Sequence, residues 1–185
     1  MTDTALILVD IQNDYFAGGR WPVAKIDEVS ANAARLLADA RAAGDIILHV
    51  HHEIRSENAP FFTPGTNGAK IHETVTPKRN ETKILKHFPN SFRETNLLAI
   101  LQDKAIKRVT VCGAMSQMCI DATARAAADF GFEVTVVEDA CGAKEQSFDG
   151  IDVPAEQVHA TIMAALSSSY AKIETTQGFI SNRTE

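Results

Sequence analysis

Val109-Thr110-Val111-Cys112-Gly113, running on into Ala114-Met115-Ser116-Gln117-Met118-Cys119-Ile120-Asp121-Ala122-Thr123, carries the chain from a strand into a helix. The first four residues are mostly β-branched and Gly113 closes them. From Gln117 to Phe130 the residues are helix formers with apolar side chains at helical spacing. This puts Cys119 in the first turn of a helix, with Ser116 as the N-cap three residues earlier. There, free backbone N–H groups and the positive end of the helix dipole favour a thiolate and lower the cysteine pKa.

The same alternation recurs on both sides. Ala5 to Asp10 is an apolar run without a polar face, the pattern of a parallel strand covered on both sides. Ile46 to His51, Thr82 to Leu85, Glu133 to Val137 and Ala171 to Thr175 read as further strands. Helical patterns occupy Asp27 to Ala43, Thr95 to Asp103 and Pro154 to Ser167. Gly44 and Gly131 suit left-handed helix ends, and Pro154 a first helical turn. Alternating strands and helices in 185 residues imply one α/β domain, a single three-layer sandwich with a mainly parallel sheet between helices. His52 to Asn80, rich in Pro, Gly and aromatic residues, has no clean period and reads as a long binding loop or lid. Gly142 to Val153 is a second irregular stretch.

Composition narrows the function classes. The chain is 45% hydrophobic and 23% charged, with a net charge of −6 and only short basic clusters such as Lys78-Arg79 and Lys107-Arg108. A nucleic-acid partner needs a coherent basic face, and a membrane span about 20 apolar residues; neither is present, so no nucleic acid and no membrane is expected. The N-terminus lacks a basic segment followed by a long apolar one, which points to a cytoplasmic protein. Three cysteines without Cys-x-x-Cys spacing fit a reduced compartment rather than a disulfide framework or zinc site. Cys112, inside an apolar strand, and Cys141, following one, read as buried filler.

In an open α/β sheet, ligands bind beyond the carboxyl ends of the strands. Asp10 ends the first predicted strand, Lys86 closes the third, and the fourth leads to Cys119. A carboxylate, an ammonium and a thiol thus emerge at one mouth. Gln12, Phe16, Trp21, Phe62, Phe88 and Gln117 are candidates for a small-molecule pocket there, the aromatic residues being equally suited to the core. No Gly-x-Gly-x-x-Gly follows the first strand, which counts against a dinucleotide site.

On these residues the chain resembles the isochorismatase-like cysteine hydrolase superfamily. The likeness covers Leu8 to Phe16, Phe62-Thr63-Pro64-Gly65-Thr66, Lys86 to Phe92 and Cys112 to Ala127. The resemblance implies a six-stranded sheet in the order 3-2-1-4-5-6, an Asp10-Lys86-Cys119 triad and a homo-oligomer. It further implies a cis peptide between Ala114 and Met115, with the Met115 and Cys119 N–H groups as an oxyanion hole. The implied reaction is hydrolysis of a C–N bond in a small amide, ureide, carbamoyl or lactam compound through a thioester, without a cofactor. Nicotinamidases of the superfamily hold a metal through an Asp-x-His after the second strand. Here that segment reads His49-Val50-His51-His52-Glu53, without the aspartate, so no metal is expected; His51 and His52 are the ligands a metal would have, and are read first as hydrogen-bonding groups. Ser116-Gln117-Met118 also departs from the usual Thr-Asp-x before the cysteine. The alternatives are vinyl ether hydrolysis of the isochorismatase type through Asp10, or a catalytically idle binding module on the same fold.

Overall fold

The computed structural model describes residues 2–183. In chain order the elements are β1 (Thr4–Val9), α1 (Ile26–Ala43), β2 (Ile46–His52), β3 (Thr82–Lys86), α2 (Leu97–Asp103), β4 (Arg108–Ala114), a π turn (Ser116–Ile120) and α3 (Asp121–Asp129). There follow β5 (Glu133–Gly142), β6 (Gln146–Phe148), β7 (Ile151–Val153), α4 (Ala155–Ser167), β8 (Lys172–Glu174) and α5 (Thr176–Asn182).

Six strands form one sheet in the order β3-β2-β1-β4-β5-β8, every neighbouring pair parallel. β8 is the sixth strand of this sheet, so the order is the one the resemblance implies. β1 lies at its centre, and Ala5, Leu6, Ile7, Leu8 and Val9 are at most 2% exposed. Its unbroken apolar run is thus explained by cover on both faces. Helices α1 and α5 pack against each other and against β5, while α3 and α4 pack together and against β5 and β8. The strand order runs outward from β1 through β2 to β3 and then resumes with β4 on the other side of β1, and this switch point opens the crevice at the β1–β4 carboxyl ends.

Several sequence-based boundaries move. β5 continues to Gly142, so Cys141 lies inside a strand rather than after one. The stretch read as irregular from Gly142 contains the antiparallel hairpin β6–β7. A seven-residue helix, α5, follows β8 and is capped by Thr175, whose side chain accepts from the Gly178 N–H. The long loop after β2 is tied down: it contains a 3-10 turn at Glu73–Val75, and Ile71 bridges to Gln12. No helix among the described residues is long and apolar enough to cross a membrane.

Candidate active site

Two backbone features bring the strand ends together. Asp10 follows β1 in a left-handed conformation, φ 53°, and its N–H donates to the Val50 carbonyl at 2.9 Å. Gly113 has φ 129°, and a Cβ there would lie 1.9 Å from the Val9 carbonyl oxygen. Glycine therefore lets the end of β4 close on the end of β1, beside Asp10. The Ala114–Met115 peptide that follows is cis.

Lys86, the last residue of β3, gathers the polar groups. Its Nζ stands 2.7 Å from Asp10 Oδ2, 3.0 Å from His52 Nδ1 and 3.2 Å from Cys119 Sγ. The side chains of Asp10 and Lys86 are fully buried and Cys119 is 3% exposed. Burial alone would make Lys86 easier to deprotonate, but Asp10 and then Cys119 outweigh it and hold the ammonium above its ordinary value.

The thiol behaves otherwise than its helix position suggests. Burial, reinforced by the Asp10 carboxylate, pushes the Cys119 thiol well above its ordinary value, and Lys86 only partly opposes this. The expected lowering fails for two reasons. Cys119 sits in a π turn that precedes α3, not in the first turn of an α-helix. And desolvation of the thiolate in a sealed pocket exceeds the pull of a helix end. Ser116 is not an N-cap: its hydroxyl hydrogen-bonds the Gly142 carbonyl at 3.1 Å and His159 Nδ1 at 2.9 Å. Cys112 is a buried filler, its thiol pushed up to about 12 by burial.

The pocket candidates fall into distinct settings. Gln12 is fully buried, and its amide is spent on the main chain: Nε2 donates to the His52 and Ala69 carbonyls at 2.9 and 2.7 Å, and Oε1 accepts from the His52 N–H at 2.8 Å. Phe62 is 0% exposed and packs on Tyr15, ring centroids 4.6 Å apart. Phe16 is buried and stacks on His72 at 3.5 Å, and Phe88 is half-buried beneath Arg93. Trp21 stacks on Phe61 at 4.9 Å, its Nε1 buried without a hydrogen-bond partner. Gln117, in the turn that carries Cys119, donates through Nε2 to the Lys144 carbonyl and leaves Oε1 unpartnered. Trp21 and Gln117 thus present an unused donor and an unused acceptor.

Two neighbours of the trio escaped the sequence reading as site residues. His52 ends β2, between the strands that carry Asp10 and Lys86, and is paired in register with Lys86. The sequence reading ends this strand at His51, one residue short, and so leaves His52 out of the strand-end groups at the mouth. Tyr15 is 1% exposed; burial, and then the adjacent Cys119 and Asp10, push its phenol well above the ordinary value.

Asp10, His52 and Cys119 present ligand atoms within 4.8 Å of one another, a spacing that a metal ion would accept. The Lys86 ammonium contacts all three of these residues, so the position open to a cation is taken by a side chain of the protein. His49 Nε2 pairs with Glu81 Oε2 at 2.9 Å, away from this cluster, and His51 Nδ1 has no partner. In this arrangement the three donors are taken up by the ammonium.

Comparison with known proteins agrees with this fold. The sequence profile of the isochorismatase domain family matches residues 4–177. The isochorismatase family protein YddQ of Bacillus subtilis is 46% identical over 177 residues, covering 96% of this chain and 98% of that one. A streptothricin hydrolase of Streptomyces noursei is 32% identical over 171 residues, 91% of this chain but 58% of that longer protein. A crystal structure from Oleispira antarctica, described as an isochorismatase hydrolase, superposes with a TM-score of 0.93 at 46% identity, covering 96% of each chain. With the sheet order, the strand-end cluster and these likenesses in agreement, the chain belongs to the isochorismatase family of hydrolases.

Proposed function

We propose that the protein hydrolyses a C–N bond in a small amide, ureide, carbamoyl or lactam compound, with Cys119 as nucleophile, Asp10 as proton acceptor and donor, and Lys86 as the shared cation. One observation carries this reading: a single buried ammonium contacts both the Asp10 carboxylate and the Cys119 sulfur, at 2.7 and 3.2 Å. A thiol kept protonated at rest needs a base within reach, and Asp10 is that base.

The steps balance as follows. The Cys119 proton passes to Asp10 while sulfur attacks the carbonyl carbon, and Lys86 stabilises the thiolate in transit. The C–N bond then breaks, Asp10 returns the proton to the departing nitrogen, and a thioester remains. Water gives a proton to Asp10 and attacks the thioester carbon. The C–S bond breaks, and the sulfur regains its proton from Asp10. The Met115 and Cys119 N–H groups would receive the oxyanion in both tetrahedral stages. Trp21 Nε1 and Gln117 Oε1, a donor and an acceptor left over by the protein, suit a substrate carrying both kinds of group. Likeness to a hydrolase of streptothricin supports a substrate other than nicotinamide.

The test is release of ammonia or amine from a panel of primary amides, carbamoyl and ureido compounds, lactams and nicotinamide. Turnover abolished by Cys119→Ala is the expected result. Turnover that survives Cys119→Ala, above all on a vinyl ether, would overturn the thiol mechanism in favour of chemistry through Asp10 alone.

A further inference from the structure

The ammonium of Lys86 has three N–H bonds and three acceptors around it: Asp10 Oδ2, Cys119 Sγ and His52 Nδ1. The proposed reaction uses the first two. The third contact, at 3.0 Å, lies between the other two in length and is also buried, yet the chemistry does not call for it. An ammonium cannot accept a hydrogen bond. His52 must therefore offer the Nδ1 lone pair, which puts its single ring proton on Nε2.

The imidazole is held in place from several directions. Gln12 grips both main-chain groups of His52, accepting from its N–H and donating to its carbonyl, and is itself fixed to Ala69. The Phe62 ring, 6.1 Å away between centroids, flanks the imidazole. The His52–Lys86 pairing in the β2–β3 ladder sets the two side chains side by side.

We infer that His52 is a positioning residue for the Lys86 ammonium: by taking up its third N–H, the neutral imidazole fixes the direction of the other two, at Asp10 and at Cys119. Without that acceptor the ammonium has a buried N–H with nowhere to go, and rotation about Cε–Nζ or a shift of the side chain draws it from the sulfur. The inference rests on the reading of Lys86 and Cys119 as the reacting pair, but it needs no knowledge of the substrate.

Asparagine and leucine have nearly the same shape, and only asparagine offers an acceptor, its Oδ1, near the place of Nδ1. The experiment measures the second-order rate of Cys119 alkylation by iodoacetamide, located by peptide mass mapping, in the wild type, Lys86→Met, His52→Asn and His52→Leu. Lys86→Met and His52→Leu should each slow alkylation at least tenfold, and His52→Asn should stay within about threefold of the wild type. A His52→Leu rate equal to the wild type, or an asparagine variant as slow as the leucine one, overturns the inference while leaving the triad intact. An unchanged rate in Lys86→Met instead removes the triad reading and the positioning role with it. Should the leucine variant not fold, nitrogen-15 NMR of the wild type decides: His52 protonated on Nε2 supports the inference, and the Nδ1–H form overturns it.

Discussion

Glu81, one residue before β3, is the best place to test how the strands bearing the site are held. Its side chain is 5% exposed. It accepts from Arg41 Nε and Nη2 at 2.7 and 2.9 Å, from the Lys78 N–H at 2.8 Å, and pairs with His49 Nε2 at 2.9 Å. Burial by itself would raise the carboxyl. The Arg41 fork, the Lys78 amide and His49 together outweigh burial and hold it at about 2 instead of 4.5. A carboxyl held that low stabilises the fold by about 3 kcal/mol at neutral pH. Arg41 is 26% exposed, and solvent screening trims the figure to about 2 kcal/mol. Because the folded-state value is depressed, the stabilisation is complete above 4.5 and drains away as the pH falls toward 2. Urea unfolding of Glu81→Gln should therefore show a deficit of about 2 kcal/mol at pH 7, shrinking to under about 1 kcal/mol at pH 3. His49 is pushed down by burial and raised by Glu81, so making the same Glu81→Gln comparison in a His49→Gln background removes its titration from the difference. A deficit of the same size at both pH values would refute the argument, since it would trace the loss to packing rather than to charge.

Gly113→Ala puts a Cβ 1.9 Å from the Val9 carbonyl oxygen at a φ of 129°, against Val9 backbone atoms that no side-chain rotation can clear; a loss of about 3 kcal/mol or more in urea unfolding is expected, and a loss under about 1 kcal/mol would mean that β1 and β4 can separate there. Asp10→Asn removes the charge that holds the Cys119 proton. Alkylation of Cys119 at neutral pH should accelerate while amide turnover drops about 10²- to 10⁴-fold, and both falling together would contradict the assigned roles. Phe148 and Ile151, paired across the β6–β7 hairpin, are 84% and 65% exposed. A homo-oligomer closed through this hairpin predicts a lower mass by light scattering for Phe148→Ser, and an unchanged mass would place the interface elsewhere.

What the sequence made legible follows the physics of each signal. The β1 run and the residues at three strand ends were readable because burial on both faces and the crevice rule act locally along the chain. β5 was cut short because Glu138 and Asp139 interrupt its apolar run. In the fold, Asp139 turns its carboxylate to the Thr176 N–H and hydroxyl, both at 2.7 Å, and so helps to hold the start of α5, a partner 37 residues away. Ser116 carried a cap signal, but its hydroxyl is claimed by β5 and α4. Gln12 looked ligand-facing for the same reason: a polar side chain at a crevice is indistinguishable, in sequence, from one that pins a distant loop. His52 was read only as a hydrogen-bonding strand histidine because its partner is Lys86, its neighbour across a strand pair and 34 residues later.

The raised thiol and the proposed nucleophile are reconciled by counting charge. A thiolate formed by loss of a proton to solvent would leave one sulfur and one carboxylate facing a single ammonium, with His52 neutral beside them: a net negative charge in a sealed site, which low dielectric penalises heavily. Transfer of the same proton to Asp10 leaves the total unchanged, since an Asp10–Lys86 ion pair is exchanged for a Cys119–Lys86 one about the same Nζ. The burial that resists a free thiolate thus does not resist the internal transfer, and it withholds the nucleophile until an acceptor for the electron pair is in place. The helix-terminus argument applied to Cys119 alone misses this, because the quantity that matters belongs to three strand ends at once.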